Sequence, residues 1–112
     1  MRPSSPAWLD IVKHRFRAVR APYLLILQHH DIPGVNQLAA PVSLFGPGVS
    51  NFVAPSVIVD GTEYRIRLLD MSPVPRTMFT AIVTSAADDR GSITDALDII
   101  LHGYPVGRAA PS

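Results

Sequence analysis

The sequence predicts a mainly β (α+β) fold: a small antiparallel sheet followed by one C-terminal helix. Three observations carry the prediction. Eleven prolines in 112 residues, about twice the usual ~5%, interrupt the chain too often for a helical bundle and suit short strands joined by turns. An Asp60-Gly61 pair divides two runs of alternating apolar and polar residues, the signature of a tight hairpin. A single segment near the end, Ile93 to Leu101, places apolar residues at helical spacing.

The elements follow in order. Trp8 to Val12 reads as a short strand. Tyr23 to Leu27 is a continuous apolar run without helical spacing, so it reads as a strand covered on both faces. The two form a long hairpin through a basic connection, Lys13 to Arg20. Ile32-Pro33-Gly34-Val35 is a turn signal. Leu38 to Val42 reads as a strand that Pro41 confines to an edge or an end. Gly46-Pro47-Gly48 marks an irregular loop. In the hairpin from Ser56 to Leu69, an Asp60-Gly61 turn of type I′ sets Val59 against Thr62 and Val57 against Tyr64. Side chains alternate, so Val57, Val59, Tyr64, Ile66 and Leu68 share the core face, while Glu63, Arg65 and Arg67 share the wet one. Ser72-Pro73-Val74-Pro75 breaks the chain, and Ala81 to Thr84 is one more short strand. The helix begins at Ser92 as N-cap, with Asp95 in its first turn. Its apolar stripe is Ile93, Ala96, Leu97, Ile100 and Leu101, and Gly103 caps its end before Pro105. About five strands and one helix result. They form one domain over residues 1–112, with flexible ends at 1–6 and 107–112.

Composition narrows the function classes. Ten basic against nine acidic residues leave a net charge of +1, and the pI near 8.3 lies below the value above ~9 expected of an evident nucleic-acid binder. The apolar fraction of 47% excludes wholesale disorder. The longest strongly apolar run, Tyr23 to Leu27, falls far short of the ~20 residues of a spanning helix. No apolar stretch follows Met1 to Pro6, so no secretory leader is expected. The absence of cysteine excludes disulfides, cysteine zinc sites and thiol catalysis and suits a cytoplasmic location.

Few residues form a pattern that suggests chemistry. His29 and His30 are neighbours in an extended segment, so they point apart and do not share a metal ion. Lys13, Arg15 and Arg17 alternate around His14 and Phe16, a pattern that suits phosphates and bases, but the near-neutral net charge favours a solvated hairpin rim. Asp88-Asp89 before Arg90-Gly91-Ser92 reads as an acidic turn rather than a carboxylate pair at work. No Gly-x-Ser-x-Gly, His-Glu-x-x-His or Walker pattern occurs. The residues favour a binding module over an enzyme, with no catalytic residue, no metal and no cofactor.

The run Ser56-Val57-Ile58-Val59-Asp60-Gly61-Thr62-Glu63-Tyr64-Arg65, then Asp70-Met71-Ser72-Pro73-Val74-Pro75, then Ile93 to Gly103, resembles the CcdB family of bacterial toxins. Trp8-x-x-Ile11, Leu25-Ile26-Leu27-Gln28 and Ile32-Pro33-Gly34 extend the resemblance toward the N-terminus. It implies a small SH3-like β-barrel, shared with the MazF ribonucleases, carrying a C-terminal helix. It further implies a homodimer that poisons DNA gyrase by binding the A subunit of that enzyme. An antitoxin whose disordered tail neutralises the toxin is implied as well. Such toxins inhibit by contact and are not enzymes; no direct nucleic-acid binding and no membrane partner are expected. The family's target contacts map here onto Asp98, Leu101, His102, Gly103 and Tyr104, with Ile32 added to the set. The family's plasmid toxin has Asn and then Phe-Trp-Gly-Ile at these positions, so only the glycine is kept. Two alternatives stay open: a MazF-like endoribonuclease using Arg15, Arg17 or Arg65, and a non-toxic member that still binds an antitoxin.

Overall fold

A computed structural model describes residues 6–15, 22–29, 31–44 and 54–103. Its seven strands are β1 (Asp10–His14), β2 (Tyr23–Ile26), β3 (Asn36–Leu44), β4 (Ser56–Val59), β5 (Thr62–Ile66), β6 (Ser72–Pro75) and β7 (Phe79–Ser85). One helix, α1 (Arg90–His102), follows them, and short 3₁₀ turns lie at Leu68–Asp70, Arg76–Met78 and Ala87–Asp89. The strands form a single antiparallel sheet in the order β4-β5-β3-β2-β1-β7, with β6 paired to β3. The sheet curls into a half-barrel, and the fold is mainly β with one C-terminal helix. The Gly46-Pro47-Gly48 loop, Phe16 to Ala21 of the basic connection, and His30 lie outside the described residues.

The hairpin predictions hold. Asp60 and Gly61 both have positive φ (51° and 78°), as a type I′ turn requires. Val59 pairs with Thr62 and Val57 with Tyr64. Ile11 of β1 faces Leu25 of β2. Along β2, Leu25 enters one apolar cluster and its neighbour Ile26 enters another, so both faces of that strand are covered. The larger cluster joins β1, β2, β3, the β4–β5 hairpin and α1, with Ile11, Leu25, Val42, Ile66, Leu68 and Ile93 all fully buried. The smaller one, Val12, Ile26 and Ala39, is covered by Leu24, Val74 and Phe79. Val74 lies on β6 and Phe79 opens β7, so these two strands supply part of that cover.

Several boundaries differ from the expectation. The first strand starts at Asp10, not Trp8. Ahead of it, the Asp10 N–H donates to the Ala7 carbonyl (3.0 Å), and the Ala7 N–H donates to Asp10 Oδ2 (2.8 Å). This turn leaves Leu9 with φ of 68°. Leu9 holds that unfavourable conformation because it is buried, donates to Ile26 O and accepts from Ala86 N–H (both 2.8 Å).

The strand through Leu38 to Val42 runs from Asn36 to Leu44 and is central, not an edge. Pro41 is tolerated there for a geometric reason. Its carbonyl accepts the Arg67 N–H (2.8 Å), on the side of β3 opposite β2. A residue's nitrogen and carbonyl face the same side of a strand, so the absent N–H falls on that side too. There β3 pairs β6 through residues 36–39 and β5 through residues 42–44. Pro41 therefore sits in the gap between two ladders, where no hydrogen bond is lost.

Ser72 to Pro75 is strand β6 rather than a break, since Pro73 and Pro75 lie on a strand paired on one side only. The fourth change is at the helix start. The Ala87–Asp89 turn runs directly into α1, so the N-cap position is Asp89 and Ser92 lies inside the helix. No side chain caps that end. Ser85 Oγ instead accepts the Ala87 N–H (3.1 Å), and the Ala86 carbonyl accepts the Asp89 N–H (2.9 Å). Pro6, placed by composition in a loose end, is buried.

Candidate functional site

The helix end is built from the stripe outward. Ile93 and Ala96 are buried in the larger cluster, and Leu97 and Ile100 pack against it half-buried. These four fix the rotation of α1 about its axis. Leu101, expected in the same stripe, is not in it. One residue past Ile100 turns about 100° around the helix, and Leu101 is 66% exposed. His102 follows it into solvent, while Asp98, one turn earlier, is half-buried. The helix stops at Gly103, whose φ of 84° and ψ of −6° are left-handed. Its N–H donates to the Ile99 carbonyl (2.9 Å), which satisfies one of the orphan carbonyls at a helix end. Tyr104 lies outside the described residues.

Ile32 belongs to a different element. It lies in the exposed 31–35 loop between β2 and β3 and is 46% exposed, while Val35 is 81% exposed. Arg76 fixes this loop. Its guanidinium donates to the Ile32 carbonyl (2.9 Å), the Gly34 carbonyl (3.0 Å) and Gln37 Oε1 (3.2 Å). The structure thus groups Asp98, Leu101, His102 and Gly103 on one helix end, and holds Ile32 by hydrogen bonds to which α1 does not contribute. Nothing in the sequence singled out Arg76 or Gln37. The available signal was only a polar pair, Asn36-Gln37, leading into the apolar run Leu38 to Val42.

The remaining candidates have structural employment. Arg15 donates from Nη2 to the Thr77 carbonyl (3.2 Å) and from its main chain to Met78 O (2.8 Å). Arg65, half-buried, donates to the Ala54 carbonyl (3.2 Å). Arg67 pairs with Asp70 (2.8 Å) within the exposed turn after β5. His29 Nδ1 accepts the Asp31 N–H (3.1 Å). Asp88 is exposed and Asp89 half-buried in the turn before α1. Among the described residues, no group of three or more His, Asp or Glu stands close enough to hold a metal ion. No helix among them is long and apolar enough to cross a membrane. Burial first, then the charge and hydrogen bond of Tyr23, push the Tyr64 hydroxyl up from its ordinary value. The two rings meet edge to face with centroids 5.4 Å apart, an arrangement that aromatic quadrupoles favour.

No protein-family model matches this chain, and no curated protein matches it.

Proposed function

We propose that this chain is a CcdB-like toxin of a toxin–antitoxin module. In this reading it is a cytoplasmic homodimer that binds and inhibits a target protein, with the A subunit of DNA gyrase as first candidate. A cognate antitoxin with a disordered C-terminal tail neutralises it. The observation that carries the reading is the exposure of Leu101 and His102 directly before the left-handed Gly103. These positions coincide with the contact set that the resemblance implies.

The physical case is one of differential burial. Leu101 contributes little to the core at 66% exposure, so its side chain is available to a partner, where burial would yield about 1.5–3 kcal/mol. His102 offers a flat ring beside it, able to stack on a guanidinium while neutral. Asp98 adds a negative charge that complements a basic partner and disfavours an acidic one. Inhibition by contact needs no reacting group, so the site's work is shape, apolar burial and charge.

The test is induced expression in a bacterial host, with growth and plasmid supercoiling measured together. Wild type should arrest growth and block supercoiling by purified gyrase. The double variant Leu101→Ser/His102→Ala should fold with an unchanged melting temperature and lose both effects. A folded, fully toxic double variant overturns the helix-end site. Cleavage of RNA by the purified chain replaces the reading with the endoribonuclease.

A further inference from the structure

We propose that Arg76 is a positioning residue: it clasps the 31–35 loop and holds it in one preformed conformation. The proposal rests on the functional reading only for the loop's use, since Ile32 belongs to the contact set there.

The loop is not held by a core of its own. Every residue from Asp31 to Asn36 is exposed, so apolar burial does not order this segment. Local ties lie at its start: the Ile32 N–H donates to His29 O (3.1 Å), and the Asp31 N–H donates to His29 Nδ1 (3.1 Å). Arg76 supplies the long-range ties. Three of its guanidinium nitrogens reach Gly34 O, Ile32 O and Gln37 Oε1, and its main-chain N–H reaches Val35 O (2.9 Å). The guanidinium contacts cross 39 to 44 residues of sequence. Bonds from a charged donor are the stronger class, and a planar fork serves several acceptors at once where an ammonium does not.

The clasp has a rigid base. Gln37 is fully buried, and its Nε2 donates to the carbonyls of Pro6 (2.9 Å) and Gln28 (2.8 Å). Gln28 returns a contact by accepting the Leu38 N–H (2.9 Å). With Oε1 taken by Arg76, the buried amide uses both of its donor hydrogens and its oxygen. A buried amide satisfied this way has one orientation. Arg76 is thereby anchored at its inner end, and the loop carbonyls are anchored to it. Ile32 and Val35 are displayed by a loop whose ordering is completed during folding, which lowers the entropy lost on contact.

The test uses free protein: amide hydrogen exchange and ¹⁵N relaxation on wild type, Arg76→Lys and Arg76→Gln. The expected result is faster exchange at the Ile32 amide, by about tenfold or more, and reduced order at Gly34 and Val35 in both variants. Amides in β1 and β2 should keep their protection. Lysine keeps the charge and the stem, so its failure to restore the loop separates fork geometry from charge. If Arg76→Gln does not fold, Arg76→Lys decides alone. Unchanged exchange at 32–35, full rescue by lysine, or equal loss of protection throughout the sheet overturns the proposal. Growth inhibition by Arg76→Lys should also weaken with Leu101 and His102 intact. A wild-type chain without toxicity removes the functional reading, and the exchange measurement still decides the clasp.

Discussion

Gly103→Ala isolates one backbone effect at the helix end. The glycine has φ of 84°, a conformation that costs an L-residue about 1–2 kcal/mol. A methyl group added there would meet nothing within 4 Å, so no clash adds to the cost and no new contact offsets it. Gly91 makes the matched control. It lies in the first turn of α1 at helical φ, and a methyl group there also meets open space. Alanine at Gly91 should stabilise by about 0.5–1 kcal/mol, because it narrows the unfolded ensemble and suits a helix. The same substitution thus has opposite signs twelve residues apart. Urea unfolding at neutral pH reads both. One kcal/mol moves the melting temperature of a domain near this size by about 4 °C or more. Gly103→Asn should lie between wild type and alanine, since asparagine tolerates the left-handed region. A neutral Gly103→Ala, or both variants shifting the same way, refutes the assignment of Gly103 as the helix stop.

Three further outcomes follow. Ile93→Ala should destabilise by about 2–5 kcal/mol in the same unfolding assay, because Ile93 is fully buried where α1 meets the sheet; a loss below about 1 kcal/mol would mean the helix is not docked there. Tyr64 has its pKa raised above 10.0 by burial and then by Tyr23, so the folded state keeps a proton that the unfolded chain releases. Its contribution is whole below pH 10 and is lost as pH rises through the folded value, so Tyr64→Phe should flatten the alkaline fall in urea midpoint, and equal slopes refute it. The proposed homodimer should scatter light at twice the 12.1 kDa chain mass at micromolar concentration, and a monomer there removes it.

Where local chemistry decides the backbone, the sequence was sufficient. Asp60-Gly61 admits a type I′ turn, and that turn fixes every pair from Val59–Thr62 to Val57–Tyr64. Gly103 likewise announces its own φ. Where a partner in space decides, the sequence misled. Pro41 is acceptable in a central strand only because two different strands share one side of β3 and leave a gap. Pro73 and Pro75 look like a break, yet β6 needs bonds on one side only. Ser92 is a good cap by type, but the turn at Ala87–Asp89 brings helical geometry in earlier. The site divides the same way. The helix and its stop were legible from spacing and the terminal glycine, except that Leu101 turns out of the stripe; a contact role for that end was implied by the resemblance alone. The Arg76 clasp was not legible, because two of its guanidinium acceptors are main-chain carbonyls, which have no sequence signature, and the third, Gln37 Oε1, meets it only in the folded chain.

The helix end and the loop present apolar side chains by different means, and the difference determines how each fails. Leu101 takes its direction from α1, and α1 takes its direction from Ile93, Ala96, Leu97 and Ile100 against the sheet. Disturbing Leu101's orientation therefore requires disturbing the core, so variants that misplace it also lower global stability. Ile32 takes its direction from carbonyls held by one guanidinium at the surface. Its orientation can be lost while the core is intact, through local opening far cheaper than unfolding. A contact surface that used both elements would combine a part coupled to folding with a part that a single side chain controls. Separating the two needs only paired measurements on each variant: global stability falls steeply with contact for changes in the α1 stripe, and falls only by the loss of one partner of the buried Gln37 amide while contact weakens for changes at Arg76.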